Sequence, residues 1–176
     1  LRYLYSEYAS REDCAVAFLP SPNYNTDLAL LKAICGEFDL PRRRSMLDQE
    51  HELRDFLLGK YTEGSNCIVF IDESQRLTGK VLEVIRTLLN FETDSAKLIN
   101  VVLTGQLELR DRLRDPSKKA LRSRIFLSST LDPMSLHETG QMIQFRCDRA
   151  GIPSPFEPEA IEAVYVRSGG LPRQIL

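Results

Sequence analysis

Asp72 and Glu73 stand side by side directly after five consecutive apolar residues, Cys67 to Ile71. A run without a polar face predicts a strand buried on both sides, as in a parallel sheet. In a doubly wound sheet the carboxyl ends of the strands open onto the ligand crevice, so this placement delivers two carboxylates to a working edge. Phosphoryl transfer is the chemistry such a pair suits: the first acid holds Mg²⁺ through water and the second polarises an attacking water. The same six residues also read as a helix cap followed by a solvated first-turn acid, and by themselves they do not choose.

A second, nearly all-apolar run, 98–103, ends in Thr104, Gly105 and Gln106. Thr104 and Gln106 at a strand's carboxyl end beside Asp72 would supply neutral hydrogen bonds without disturbing the charge balance. The plainer reading makes Thr104 a strand terminus and Gln106 a helix cap. Further on, residues 110–124 hold seven basic side chains in fifteen. Such a run is a solvated surface, a nucleic-acid patch, or the place from which one arginine reaches a phosphate. A phosphate cradle of the form GxxxxGK[ST] does not occur in the chain, since Gly59-Lys60 and Gly79-Lys80 lack the upstream Gly and the following Ser or Thr. Zinc chemistry is poorly served as well. His51 and His137 are the only histidines, with Asp55 and Gln141 where HExxH needs its second one, and Cys14, Cys35, Cys67 and Cys147 form no CxxC pair. Buried reduced thiols in a cytosolic protein are expected.

The 176 residues suit about one domain with a small appendage, and 43% hydrophobic with 27% charged residues is the composition of a folded chain. A net charge of −2 supplies no global field toward DNA or an anionic membrane. No apolar run is long enough to span a bilayer, and the first residues carry no signal-peptide pattern.

The spacing predicts helices over 1–8, 28–38, 45–60 and 80–91, alternating with strands at 14–20, 66–73 and 98–104. Short helices follow over 107–116 and 118–124, then a last strand over 125–129. The strands beginning near Ala15, Ile68, Ile99 and Ile125 are expected to lie parallel, with Asp72 and Thr104 at one edge. From Pro133 on only helices remain: Ser135 and Glu138 form a capping box, Pro158 opens a helix, and Pro172 another. This order predicts an α/β domain over 1–131 and a small all-α region over 132–176. The chain opens inside a helix with no cap before it, so the place of a phosphate cradle, at the start of the first helix, is expected to lie before Leu1.

The segments IVFIDESQ, LLNFETDSAKLINVVLTGQLELRDRL, LRSRI and GGLPR, in that order, resemble AAA+ ATPases of the general secretion pathway protein A (ExeA) type. Those are similar in turn to bacterial transposition helper ATPases of the MuB and TniB kind. The resemblance implies a P-loop NTPase sheet core lacking its first strand and cradle, followed by a truncated helical lid. It implies ATP and Mg²⁺ as ligands, with Asp72 the magnesium-associated acid and Glu73 the catalytic acid of a Walker B motif. Ser74 stands where the family commonly has Ala, and Gln75 where a polar residue follows the pair. Thr104 and Gln106 look like the sensor 1 region. Arg124, ahead of Arg122, looks like an arginine finger acting on a neighbouring subunit's nucleotide, and Arg173 like the sensor 2 arginine of the lid. A cytoplasmic ATPase that self-associates into a ring or filament is expected, any hold on the inner membrane lying in segments outside the chain. Its partner would be a secretion apparatus or, in the alternative reading, a transposase. DNA association through Arg110, Arg112, Arg114, Lys118 and Lys119 is expected to be weak.

Overall fold

The computed structural model describes residues 1–175, and its contacts divide the chain into two compact units, Leu1–Phe126 and Leu127–Leu176. The first holds a parallel sheet of three strands in the order β1-β2-β3, with β1 Cys14–Leu19, β2 Asn66–Ile71 and β3 Asn100–Leu103. Ala17 is level with Val69, and Phe70 with Val102. The central strand β2 is buried from Cys67 through Ile71, as its unbroken apolar run requires.

Side-chain alternation divides the work between the two sheet faces. Ala17, Leu19, Cys67, Val69 and Ile71 share a core with Leu30, Leu31 and Ile34 of α2 (Asp27–Glu37), Leu53 and Leu57 of α3 (Met46–Thr62), and Leu82, Ile85 and Leu88 of α4 (Val81–Leu88). On the other face Phe18 and Phe70 meet Tyr5 and Tyr8 of α1 (Arg2–Ala9), with ring centroids 5.0–6.2 Å apart. Thr26 and Ser45 cap α2 and α3 by accepting from Ala29 N–H and Asp48 N–H. Thr26 thus takes the capping place one residue before Asp27. Burial pushes the Cys35 and Cys67 thiols up to about 11, so both stay protonated.

After β3 come α5 (Leu107–Arg114), a 3-10 turn over Pro116–Lys118, and α6 (Lys119–Arg122). The strand predicted at 125–129 does not form. Phe126 is fully exposed, and the Arg124 and Ile125 N–H groups are spent on Leu121 O and Arg122 O, closing the turn after α6. A short apolar run becomes a strand only beside a neighbour that takes its backbone hydrogen bonds, and neither β1 nor β3 does so here.

The second unit is helical: α7 (Leu136–Ala150), α8 (Pro158–Ser168) and α9 (Pro172–Ile175). Ser135 and Glu138 make the predicted capping box, each side chain accepting from the other's backbone N–H. Among the unit's described residues Thr139, Ile143, Cys147, Ser168 and Gly170 are buried. Gly170 is required: its φ is +72°, and a methyl group there would meet Met134 O at 2.1 Å.

Candidate active site

The sheet ladder continues past the strand ends. Asp72 N–H donates to Leu19 O at 2.9 Å, Thr104 N–H to Ile71 O at 3.0 Å, and Ser74 N–H to Thr104 O at 2.8 Å. These bonds hold the ends of β1, β2 and β3 at one edge and bring Asp72 and Thr104 together. Thr104 Oγ1 donates to Asp72 Oδ1 at 2.8 Å, and the same oxygen accepts from Glu73 N–H at 2.9 Å. Asp72 is thus oriented by two donors, both half-buried, as a carboxylate with a positional task needs to be. It is not a helix cap.

Glu73 has φ +52°, in the left-handed region, where a residue bearing a Cβ carries about 1–2 kcal/mol of strain. The chain leaves β2 and turns at once into a 3-10 turn, Ser74–Arg76, and Glu73 is the residue that makes the corner. Backbone strain of this kind gathers at functional positions. Ser74 is fully buried, with its hydroxyl donating to Ile71 O at 2.9 Å, so a Ser is satisfied at a place where an Ala would also fit. Arg76 ties the turn to the loop after β1 through Ser21 Oγ at 2.7 Å.

Gln75 completes the cluster, and the sequence left its role undecided. Its Nε2 donates to Glu73 Oε2 at 2.8 Å, and its Oε1 accepts from Gln106 N–H at 3.2 Å. The one signal in the sequence was Gly105, which leaves room for that amide. Gln106 sits at the N-cap position of α5 but makes no capping bond with its side chain, and it joins the cluster through its backbone alone.

A family model for AAA domains matches residues 1–113. The chain belongs to the AAA family. It is 40% identical over 163 residues to general secretion pathway protein A of Aeromonas hydrophila, covering 91% of this chain and 30% of that protein. This AAA chain therefore spans less than a third of that relative's length. Among solved structures, ORC2 of Aeropyrum pernix in its ADPNP and ADP complexes superposes with a TM-score of 0.61 at 17% identity, over 90% of this chain and 42% of that one. Cdc6p of Pyrobaculum aerophilum superposes with a TM-score of 0.61 at 16% identity, over 93% and 43%. These two show the fold: a parallel sheet flanked by helices, with a further helical region, as in AAA+ P-loop NTPases.

Two of the remaining predicted residues, Arg124 and Arg122, make their hydrogen bonds elsewhere in the first unit. Arg124 Nε donates to Asn90 Oδ1 at 3.0 Å and its guanidinium also to Ala120 O at 2.7 Å. Asn90 follows α4, the helix that carries the chain from the carboxyl end of β2 back toward the start of parallel β3, so Arg124 is anchored toward the edge opposite Asp72. Its direction is set by Asn90 and Ala120 and not by a following strand, as the sequence suggested. Arg122 donates to Arg114 O at 3.3 Å. Arg173 belongs to the second unit, exposed in the first turn of α9.

Proposed function

We propose that the protein binds and hydrolyses ATP with Mg²⁺, and that Asp72, Glu73 and Thr104 form the catalytic edge. The observation that carries this reading is the 2.8 Å bond from Thr104 to Asp72, which joins the acid of one strand to the polar terminus of the next. The donor set fits magnesium. Both hydrogen bonds to Asp72 fall on Oδ1, leaving Oδ2 to take a cation's water, and Mg²⁺ is ordinarily held by one or two carboxylates together with substrate phosphates. When bound, the ion would neutralise charge on the phosphates. Glu73, adjacent and separately held, would accept the proton of the attacking water. Thr104 fixes Asp72 and offers its hydroxyl to the same edge. Arg124 would act on the nucleotide of an adjacent subunit, and Arg173 would close on the bound one.

Steady-state phosphate release by the intact protein tests this. Chelating Mg²⁺ should abolish release. Thr104→Val, which keeps the shape and removes the donor, should lower kcat roughly tenfold with ATP affinity nearly unchanged, the size of one lost oriented hydrogen bond. Release indifferent to both treatments would overturn the reading.

We further propose a secretion-pathway-type assembly as the setting, supported by the likeness to general secretion pathway protein A. A cytoplasmic location, where ATP is supplied, follows from that proposal. Among the described residues no helix is long and apolar enough to cross a membrane. The transposition-helper alternative rests on the sequence resemblance alone, and the structure withdraws part of its DNA surface. Lys118 donates to Gly79 O at 2.7 Å and pairs with Glu83 at 3.1 Å, and Arg112 donates to Leu77 O. Arg110 and Arg114 make only exposed pairs with Asp111, at 3.3 and 3.9 Å, which a phosphate can displace, so with Lys119 three cations remain and binding to duplex DNA should show a logarithmic salt slope no steeper than about 3. Tight binding that persists in moderate salt would favour the helper reading.

A further inference from the structure

Every hydrogen bond that the Glu73 carboxylate makes among the described residues comes from Gln75. A glutamate side chain has three rotatable bonds, and a general base works only within hydrogen-bond reach of the proton it takes. The backbone of Glu73, at φ +52°, sets where the side chain starts but not where its carboxylate ends. Gln75 supplies that second constraint. Its other amide atom is held in turn by Gln106 N–H, so one side chain joins the acid after β2 to the loop after β3. The amide also has little freedom of its own. A methyl group on Gly105 would meet Gln75 Oε1 at 2.7 Å and the Gln75 backbone N at 3.1 Å, which means that the amide lies directly against bare backbone.

We propose that Gln75 is a positioning residue that holds the Glu73 carboxylate in its working orientation and ties that orientation to the loop Thr104–Gln106. The proposal rests on the reading of Glu73 as the acid that activates water. It also gives the loop after β3 two routes into the site: Thr104 Oγ1 onto Asp72, and Gln106 N–H through Gln75 onto Glu73. A shift of that loop would therefore move both acids at once.

In the intact protein, Gln75→Ala should lower kcat about tenfold while KM for ATP and the affinity for ADP stay within about twofold, because the carboxylate is misdirected and the nucleotide is not. Gln75→Glu separates orientation from packing. It has the same size and can accept from Gln106 N–H, yet it cannot donate to Glu73, so it should lose at least as much kcat as Gln75→Ala. Gly105→Ala displaces the amide by collision and should lower kcat comparably, but by less when residue 75 is already Ala. Unfolding midpoints within a few degrees of the parent protein show that fold is not the cause; should Gly105→Ala fail to fold, the two Gln75 variants decide. Wild-type kcat in Gln75→Glu would make Gln75 a packing residue and overturn the proposal. A rise in kcat in Gln75→Ala would mean that Gln75 restrains Glu73, and would overturn it too. If Glu73→Gln itself leaves turnover intact, what fails is the role of Glu73, and the coupling falls with it.

Discussion

Glu73→Gln in the intact protein is expected to leave ATP binding nearly unchanged and to cut turnover at least ~100-fold, the effect of losing a general base. The geometry favours a clean result. Gln has the size of Glu, its amide oxygen can still accept from Gln75 Nε2, and the left-handed corner at residue 73 carries the same strain for either side chain. What disappears is the negative charge and the ability to take a proton. Asp72 keeps both of its donors, Thr104 Oγ1 and the N–H of residue 73, so the magnesium side of the site should be untouched. Nucleotide affinity from equilibrium binding, set against phosphate release under saturating ATP, separates the two outcomes. Equal loss of binding and hydrolysis would make Glu73 a structural corner and nothing more.

Arg124→Ala is expected to leave each subunit's ATP affinity intact and to lower assembly-dependent hydrolysis by up to ~10³-fold, the lower end of what a transferred arginine contributes to phosphoryl transfer. Its side chain is exposed and held by Asn90 and Ala120 toward the sheet edge opposite Asp72, so it does not serve the acids of its own chain. Guanidinium is charged at all working pH values and forks onto phosphate oxygens, which suits it to act across a contact between subunits. Removing it breaks two exposed hydrogen bonds, worth on the order of 1 kcal/mol each, too little to unfold the domain. Mixing gives the decisive readout. Arg124→Ala subunits retain Glu73 and Glu73→Gln subunits retain Arg124, so co-assembly creates some interfaces with both groups intact. Partial recovery of hydrolysis is the expected result. No recovery from demonstrably mixed assemblies would remove Arg124 from the chemistry.

How far these residues were readable from sequence depended on how local their physics is. The run from Cys67 to Ile71 announced a doubly buried strand because every side chain in it needs to leave water, and β2 is buried along that length. Ser135 with Glu138 announced a helix start because both capping bonds lie within one turn. Asp72 and Thr104 could be assigned to one edge because parallel strands with helical crossovers place their carboxyl ends together.

Where a residue's role depended on a partner distant in the chain, the same reading went astray or stopped. Ile125 to Ser129 has the composition of a strand, but a strand is completed by a neighbour's backbone, and here the N–H groups of Arg124 and Ile125 close a turn while Phe126 faces solvent. Lys118 and Arg112 counted as members of a basic surface until the fold set Gly79, Glu83 and Leu77 within their reach. Gln75 stood in the sequence only as a polar residue after the acid pair, and the packing of its amide against Gly105, with Gln106 N–H beyond it, gave it a hold on Glu73. Pattern and spacing determined the elements, the acid pair and the edge it occupies, since burial periodicity and capping act within a few residues. The bonds from Thr104 to Asp72, from Gln106 to Gln75 and from Lys118 to Glu83 were decided by the tertiary structure, because they join positions about thirty or more residues apart, whose meeting no local preference dictates.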